Sequence, residues 1–232
     1  MDLTGYRAVL FDLYHTLTSL ETTKAPGRKT SEILGISRKE WNEQQFLHAD
    51  ELLRGREWDA FETIRKLARA IKPDIPDDII REATENRLNK FRHALEHPDP
   101  ESLDALARLK ALKKLTGLVS NVFPMDVLGW NDSPLKPYFD CVVFSFDVGF
   151  AKPEPEIYEF CLDSLAVKPA QALYVGDGGS DELKGAREVG MTTVLMTQIR
   201  QQLWPDTLPG IRKYADHEIE SLNDLFDWIE RE

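Results

Sequence analysis

The chain has 232 residues, 42% of them hydrophobic and 30% charged, and a formal charge of −11. That balance describes a globular chain long enough for one large domain or two smaller ones, and its acidity argues against nucleic acid as a partner. No apolar run approaches the roughly 20 residues that span a bilayer, and Met1-Asp2-Leu3-Thr4-Gly5-Tyr6 lacks the basic-then-apolar pattern of a signal peptide. Two cysteines, Cys141 and Cys161, are too few for a disulfide framework and are expected as buried thiols. The expected compartment is therefore the cytoplasm, with no membrane partner.

In chain order, the first predicted strand is Ala8–Phe11, a buried apolar run that delivers Asp12 and then Thr16. An α/β protein presents ligand-binding groups in this way, at the carboxyl edge of its sheet. From Thr18 to Leu95 the pattern is helical only. Trp41, Phe46, Leu52 and Leu53 mark one stretch, Phe61, Ile64, Leu67, Ala68 and Ile71 a second, and Ile79, Ile80, Ala83, Leu88 and Phe91 a third. Such an insertion reads as a lid, with hinges near Thr18–Leu20 and His97–Pro100. It carries 15 basic and 14 acidic residues, whereas the rest of the chain carries 14 and 26. The near-neutral insert can therefore face an anionic ligand, with Lys24, Arg28, Lys29, Arg54 and Arg56 as candidate contacts. Solvated surface charge is the competing reading for each.

Asp99-Pro100 then opens a helix carrying Leu103, Leu106 and Leu109. Strands are predicted at Gly117–Ser120, Cys141–Ser145, Ala172–Gly176 and Thr192–Met196. Ser221 is placed to cap a final helix bearing Leu222, Leu225, Phe226 and Ile229. Strand–helix alternation of this kind implies an α/β fold, a doubly wound parallel sheet.

Four polar elements fall at predicted strand ends: Asp12 with Thr16, Ser120-Asn121, Lys152, and Gly176-Asp177-Gly178-Gly179-Ser180-Asp181-Glu182. Each alone is ordinary turn chemistry; their common placement is not. Asp12 is ionised near neutral pH and suits nucleophilic attack on phosphorus or carbon. A phosphate repels that carboxylate, so positive charge is needed. Lys152 supplies one unit, and Mg²⁺ held by Asp12 and Asp177 would supply two more. Ser120 and Thr16 offer hydroxyl donors to phosphate oxygens, with Asn121 beside them.

The set resembles the haloacid dehalogenase superfamily, mostly Mg²⁺-dependent phosphatases. Gly185-Ala186-Arg187-Glu188-Val189-Gly190-Met191 resembles the helix after its acidic motif. The resemblance implies a Rossmann-like core at residues 1–17 and 96–232 and a helical cap at 18–95. It makes Asp12 the nucleophile that forms an aspartyl-phosphate, and Thr16, Ser120, Asn121 and Lys152 the phosphate-binding group. It also makes Asp12, the backbone carbonyl of Tyr14 and Asp177 metal ligands, with either Asp181 or Glu182 completing the set. The chain departs from the family at Tyr14, where phosphatases usually carry an aspartate as general acid, so catalysis by Tyr14 is expected to be weakened. Superfamily 2-haloacid dehalogenases often have tyrosine there but lack the metal aspartate that Asp177 matches. His15 stands where glycine is common, as a stand-in acid or a loop residue. The leading expectation is a phosphatase for a small phosphorylated metabolite. The alternatives are a 2-haloacid dehalogenase-like hydrolase, or a catalytically quiet protein that binds a phosphate ligand.

Overall fold

The computed structural model describes residues 5–55 and 59–226. Strands β1 (Ala8–Phe11), β2 (Leu115–Ser120), β3 (Cys141–Phe144), β4 (Ala172–Gly176), β5 (Thr192–Met196) and β6 (His217–Ile219) form one parallel sheet ordered β3-β2-β1-β4-β5-β6. Strand order reverses at β1, so a crevice opens at its carboxyl end between the loops after β1 and β4. The sheet is covered on both faces. Val9 and Phe11 enter one apolar core with Leu106 and Val175. Ala8 and Leu10 enter another with Ile157 and Tyr174. Burial on both sides is why these strands read as continuous apolar runs.

Between β1 and β2 come helices α1 (Thr30–Leu34), α2 (Arg38–Leu47), α3 (Ala49–Leu53), α4 (Ala60–Ile71), α5 (Asp77–Glu96) and α6 (Pro100–Ala111). On α4, Ile64, Leu67 and Ala68 share a face; on α5, Ile80 and Ala83 do. With Ile33, Leu34, Trp41 and Leu52 they build a third core, to which the segment after β2 adds Met125. Ser37 caps α2 by accepting from the Glu40 amide, and Asp99 caps α6 by accepting from the Glu101 amide. The two connections of this helical insert are pinned together. Thr18 Oγ1 donates to the Ala94 carbonyl at 2.7 Å, and Ser102 Oγ donates to the Leu17 carbonyl at 2.8 Å, both buried.

The remaining helices are α7 (Ser145–Val148), α8 (Pro155–Ser164), α9 (Glu182–Val189), α10 (Gln198–Leu203) and α11 (Leu208–Arg212). Ser145 opens α7 rather than ending β3. Strand β6 was not predicted, because three residues including His217 and Glu218 carry no apolar run. Ser221 caps as expected, but over Leu222–Leu225 the chain is a 3₁₀ turn; Ile229 lies outside the described residues. Cys161 is buried and Cys141 half-buried. Among the described residues, no helix is long and apolar enough to cross a membrane.

Candidate active site

Asp12 follows β1 directly, and its amide closes the sheet by donating to the Val175 carbonyl at 2.9 Å. Ser120 ends the neighbouring strand β2, and its Oγ donates to Asp12 Oδ1 at 3.1 Å. Lys152 arrives on the loop between α7 and α8. Its Nζ donates to Asp12 Oδ1 at 2.6 Å, to Glu182 Oε2 at 2.5 Å and to the Tyr174 hydroxyl at 3.0 Å. Asn121 holds that loop: its Oδ1 accepts from the Lys152 amide at 2.8 Å, and its Nδ2 donates to the Lys152 carbonyl at 2.9 Å. Asn121 also lines the cleft, but its amide is committed to placing Lys152.

Asp177 follows β4. Its Oδ1 accepts from the Gly179 amide at 3.0 Å, and its Oδ2 accepts from Arg200 Nη2 at 2.6 Å and Nε at 3.1 Å. Glu182 opens α9 and turns inward. Its Oε1 accepts from the Gly178 amide at 2.8 Å, and its Oε2 accepts from the Tyr174 hydroxyl at 2.8 Å as well as from Lys152. A Cβ on Gly176 would sit 2.2 Å from Glu182 Oε1, so only glycine admits this approach. Gly178 takes φ +84°, which lets the loop turn back on itself.

One oxygen from each of Asp12, Asp177 and Glu182 lies within 4.8 Å of the others, all three residues buried. Three carboxylates therefore face two cations, Lys152 and Arg200. Burial pushes the Glu182 carboxyl up, to about 8; Lys152 opposes this, and the charges of Asp12 and Asp177 add to it. Burial also disfavours the Lys152 ammonium, but Asp12 and Glu182 outweigh it and hold that group above its ordinary value. Three acidic side chains held this close are what a divalent cation would stabilise in their ionised forms. These groups open onto a cleft of about 420 Å³, which Arg200, Trp204 and Thr207 also line.

Other expected residues lie elsewhere. The Tyr14 ring lines the cleft, but its hydroxyl donates to the Asp126 carbonyl at 2.6 Å and its ring meets Phe91 edge-on at 5.3 Å. Burial raises its pKa well above the ordinary phenol value. Its proton is thus turned away from the cleft, so the hydroxyl is not placed for general-acid work. Thr16 is also displaced: it lines a separate void of about 20 Å³ and not the cleft, and its Oγ1 is buried without a hydrogen-bond partner. Asp181 is exposed, because Ser180 and Asp181 take φ +53° and +52° in succession and turn Glu182 inward instead. His15 lines the cleft at φ +66°, its Nε2 3.4 Å from Glu21 and its ring against Trp204.

Of the basic candidates, Arg54 is spent on Asp50, Glu154 and the Gly149 carbonyl, and Arg28 on Glu82. Lys24 is exposed, and Arg56 lies outside the described residues. Arg200 and Tyr174 escaped the sequence reading. Arg200 had a signal, a basic residue just beyond the carboxyl end of β5; Tyr174, inside an apolar strand, had none.

A doubly wound sheet with a carboxylate, a lysine and an acidic loop at its switch point is the arrangement of a hydrolase that uses a carboxylate nucleophile. The haloacid dehalogenase-like hydrolase family matches residues 6–190, and the chain belongs to that family. A glyceraldehyde 3-phosphate phosphatase of Methanocaldococcus jannaschii is 29% identical over 139 residues, 59% of this chain and 58% of that one. A bifunctional epoxide hydrolase 2 of Rattus norvegicus is 39% identical over 99 residues, 40% of this chain and 18% of that one. The chain thus matches under two thirds of the first relative's length and less than a fifth of the second's, 58% and 18%. A phosphatase of the same family from Thermococcus onnurineus superposes with a TM-score of 0.61 at 27% identity, covering 97% of this chain and 99% of that one. A dehalogenase crystal structure, at 20% identity and covering 99% of each chain, shares the fold with a TM-score of 0.68.

Proposed function

We propose that the protein is a Mg²⁺-dependent phosphatase for a small phosphate ester, with Asp12 as nucleophile and residues 18–95 as a helical cap. The observation that carries this reading is the clustering of the Asp177 and Glu182 carboxylates around Asp12. Carbon–halogen hydrolysis has no need of such a group. The donor set fits Mg²⁺, a hard cation that takes oxygen ligands. Asp12, Asp177 and the Tyr14 backbone carbonyl would hold it, with Glu182 beside them, and Asp181 is left out. When bound, the ion supplies positive charge against the phosphate oxygens.

Lys152 and Ser120 hold Asp12 Oδ1, leaving Oδ2 without a hydrogen bond among the described residues. That oxygen attacks phosphorus. The P–O ester bond breaks and an acyl phosphate forms on Asp12. The leaving oxygen departs with the bonding electrons and takes up a proton. Water then attacks phosphorus, the bond to Asp12 breaks, and inorganic phosphate leaves. Lys152 offsets negative charge in both steps.

Because the Tyr14 hydroxyl faces Asp126, the leaving oxygen has no acid at the usual place. Such an acid is worth about 10²–10⁴ in rate. Wild-type turnover should therefore favour aryl and acyl phosphates over alkyl phosphates by a factor in that range. Tyr14→Asp should raise alkyl-phosphate turnover. A leaving-group series on both proteins checks this. Rates independent of leaving-group pKa, with no gain in the variant, would put the proton on another cleft residue, His15 first.

Arg200 bears on the metal. Its guanidinium occupies Asp177 Oδ2, so it competes with a cation for that carboxylate. Arg200→Ala is expected to tighten Mg²⁺ binding by about tenfold, since a unit charge a few ångströms away costs about 1–4 kcal/mol between water-like and surface screening. Calorimetry reads this directly; unchanged or weaker binding would contradict it.

A second reading, dehalogenase-like hydrolysis, draws on Tyr14 and on the same Arg200–Asp177 pair, which neutralises the acid without a metal. Turnover with and without chelator separates the two.

A further inference from the structure

We propose that the substrate carries a second anionic group, a carboxylate or a phosphate, remote from the reacting phosphate, and that the helical insert binds it in a basic cavity behind α2. This rests on the phosphatase reading of the Asp12 cleft. The cavity measures about 370 Å³, and Lys29, Arg38, Arg87 and Lys90 line it, with Glu21 as its one acid. Arg87 is neutralised, since its Nε and Nη2 donate to Asp126 at 2.9 and 2.7 Å. The other three are not. Among the described residues the Lys29 and Arg38 side chains form no hydrogen bond or close ion pair with a carboxylate, although Arg38 lies near enough to Glu21 to help hold its pKa down, and Lys90 reaches only the Gly27 carbonyl, at 3.4 Å. Glu21 itself is engaged with His15. Three cations around one cavity, against the single carboxylate of Glu21 that His15 and Arg38 share, with Trp41 and Phe91 also lining it, suit an anion.

The cavity neighbours the catalytic cleft by way of a groove that shares lining residues with each. Asn121 and Ser180 line both that cleft and an adjoining groove of about 320 Å³, and Asn42 and Gln45 line both the groove and the basic cavity. Between the two charged ends the groove presents Phe46, Leu53 and Val122. Phe46 is 82% exposed and Leu47 beside it 70%, so the groove's rim offers apolar surface to a ligand. The path thus runs from phosphate site through an apolar stretch to three cations. A phosphate monoester with an apolar linker and a terminal anion matches it.

The test is calorimetric titration of the full wild-type chain, with Mg²⁺, using phosphonates that cannot be hydrolysed. Unsubstituted alkylphosphonates are compared with ω-carboxyalkyl and ω-phosphonoalkyl phosphonates over a series of linker lengths. At a matching length the ω-anionic compound should bind about tenfold tighter or more, roughly 1.4 kcal/mol, and the two terminal groups show which anion is preferred. The Lys29→Gln/Arg38→Gln variant, with unchanged Tm, should lose that preference. Equal affinities at every length, no binding of any compound, or a preference retained in the variant would overturn the proposal. So would an α,ω-dicarboxylate that binds without displacing alkylphosphonate, which would mark an independent site. If the preference holds while no phosphate ester is hydrolysed, the catalytic reading fails and the anion subsite stands.

Discussion

Asp12→Asn is expected to lower phosphate-ester turnover by about 10⁴-fold or more, the scale on which removing a covalent nucleophile acts. The amide retains the shape of the side chain but is a far weaker nucleophile toward phosphorus. Lys152 keeps Glu182 as its partner, so the variant should fold. Steady-state phosphate release measures the loss, and rapid quench of the wild type should recover acid-stable phosphate on the protein that the variant lacks. Turnover within about tenfold of wild type would remove Asp12 from the chemistry. Loss of turnover together with retained phosphonate binding would distinguish an enzyme from a protein that only binds its ligand.

Lys152→Met should be the most destabilising single change at the site. The lysine side chain is 2% exposed and pairs with two buried carboxylates, Asp12 and Glu182. Methionine fills much of the same volume but leaves both carboxylates without their cation. Breaking a buried pair from one side costs about 3–5 kcal/mol. For a domain of this size that is a fall in Tm of about 10 °C. Adding Glu182→Gln removes one of the stranded acidic groups and should recover part of the loss. The pH dependence has a definite sign. The carboxylates hold the Lys152 pKa above its ordinary value of about 10.4. The Lys152 contribution is therefore present below that ordinary value and lost as pH rises through the higher folded one, whereas burial of Glu182 makes a separate contribution that is present below the ordinary carboxylate range and lost as pH rises through about 8. Thermal melts of wild type, single and double variants check both statements; a single variant as stable as wild type would contradict them.

What the sequence made legible follows from burial. Strands β1, β4 and β5 have the predicted limits because their residues are apolar on both faces. Strand β6 lies at the sheet edge with His217 and Glu218, and its pattern is too short to stand out. Asp12, Ser120 and Asp177 could be named because each ends or follows an apolar run, and the structure gathers them at one rim with Lys152, which is expected at a strand end but arrives on the loop after α7. The remaining details depend on contacts distant in sequence. The Tyr14 hydroxyl is turned by a carbonyl 112 residues away. The choice between Asp181 and Glu182 is made by two successive left-handed residues that no composition rule demands. Thr16 lies only four residues past Asp12, but its side chain faces the opposite side of the loop from the cleft.

The central claim, metal-dependent phosphoryl transfer through Asp12, is tested most directly by one paired assay. Phosphate release from an aryl phosphate and halide release from a 2-haloacid are measured on the wild type, with Mg²⁺ and with chelator. The account predicts phosphate release that requires Mg²⁺ and no halide release in either condition. Halide release that ignores chelator, without phosphate release, would contradict it.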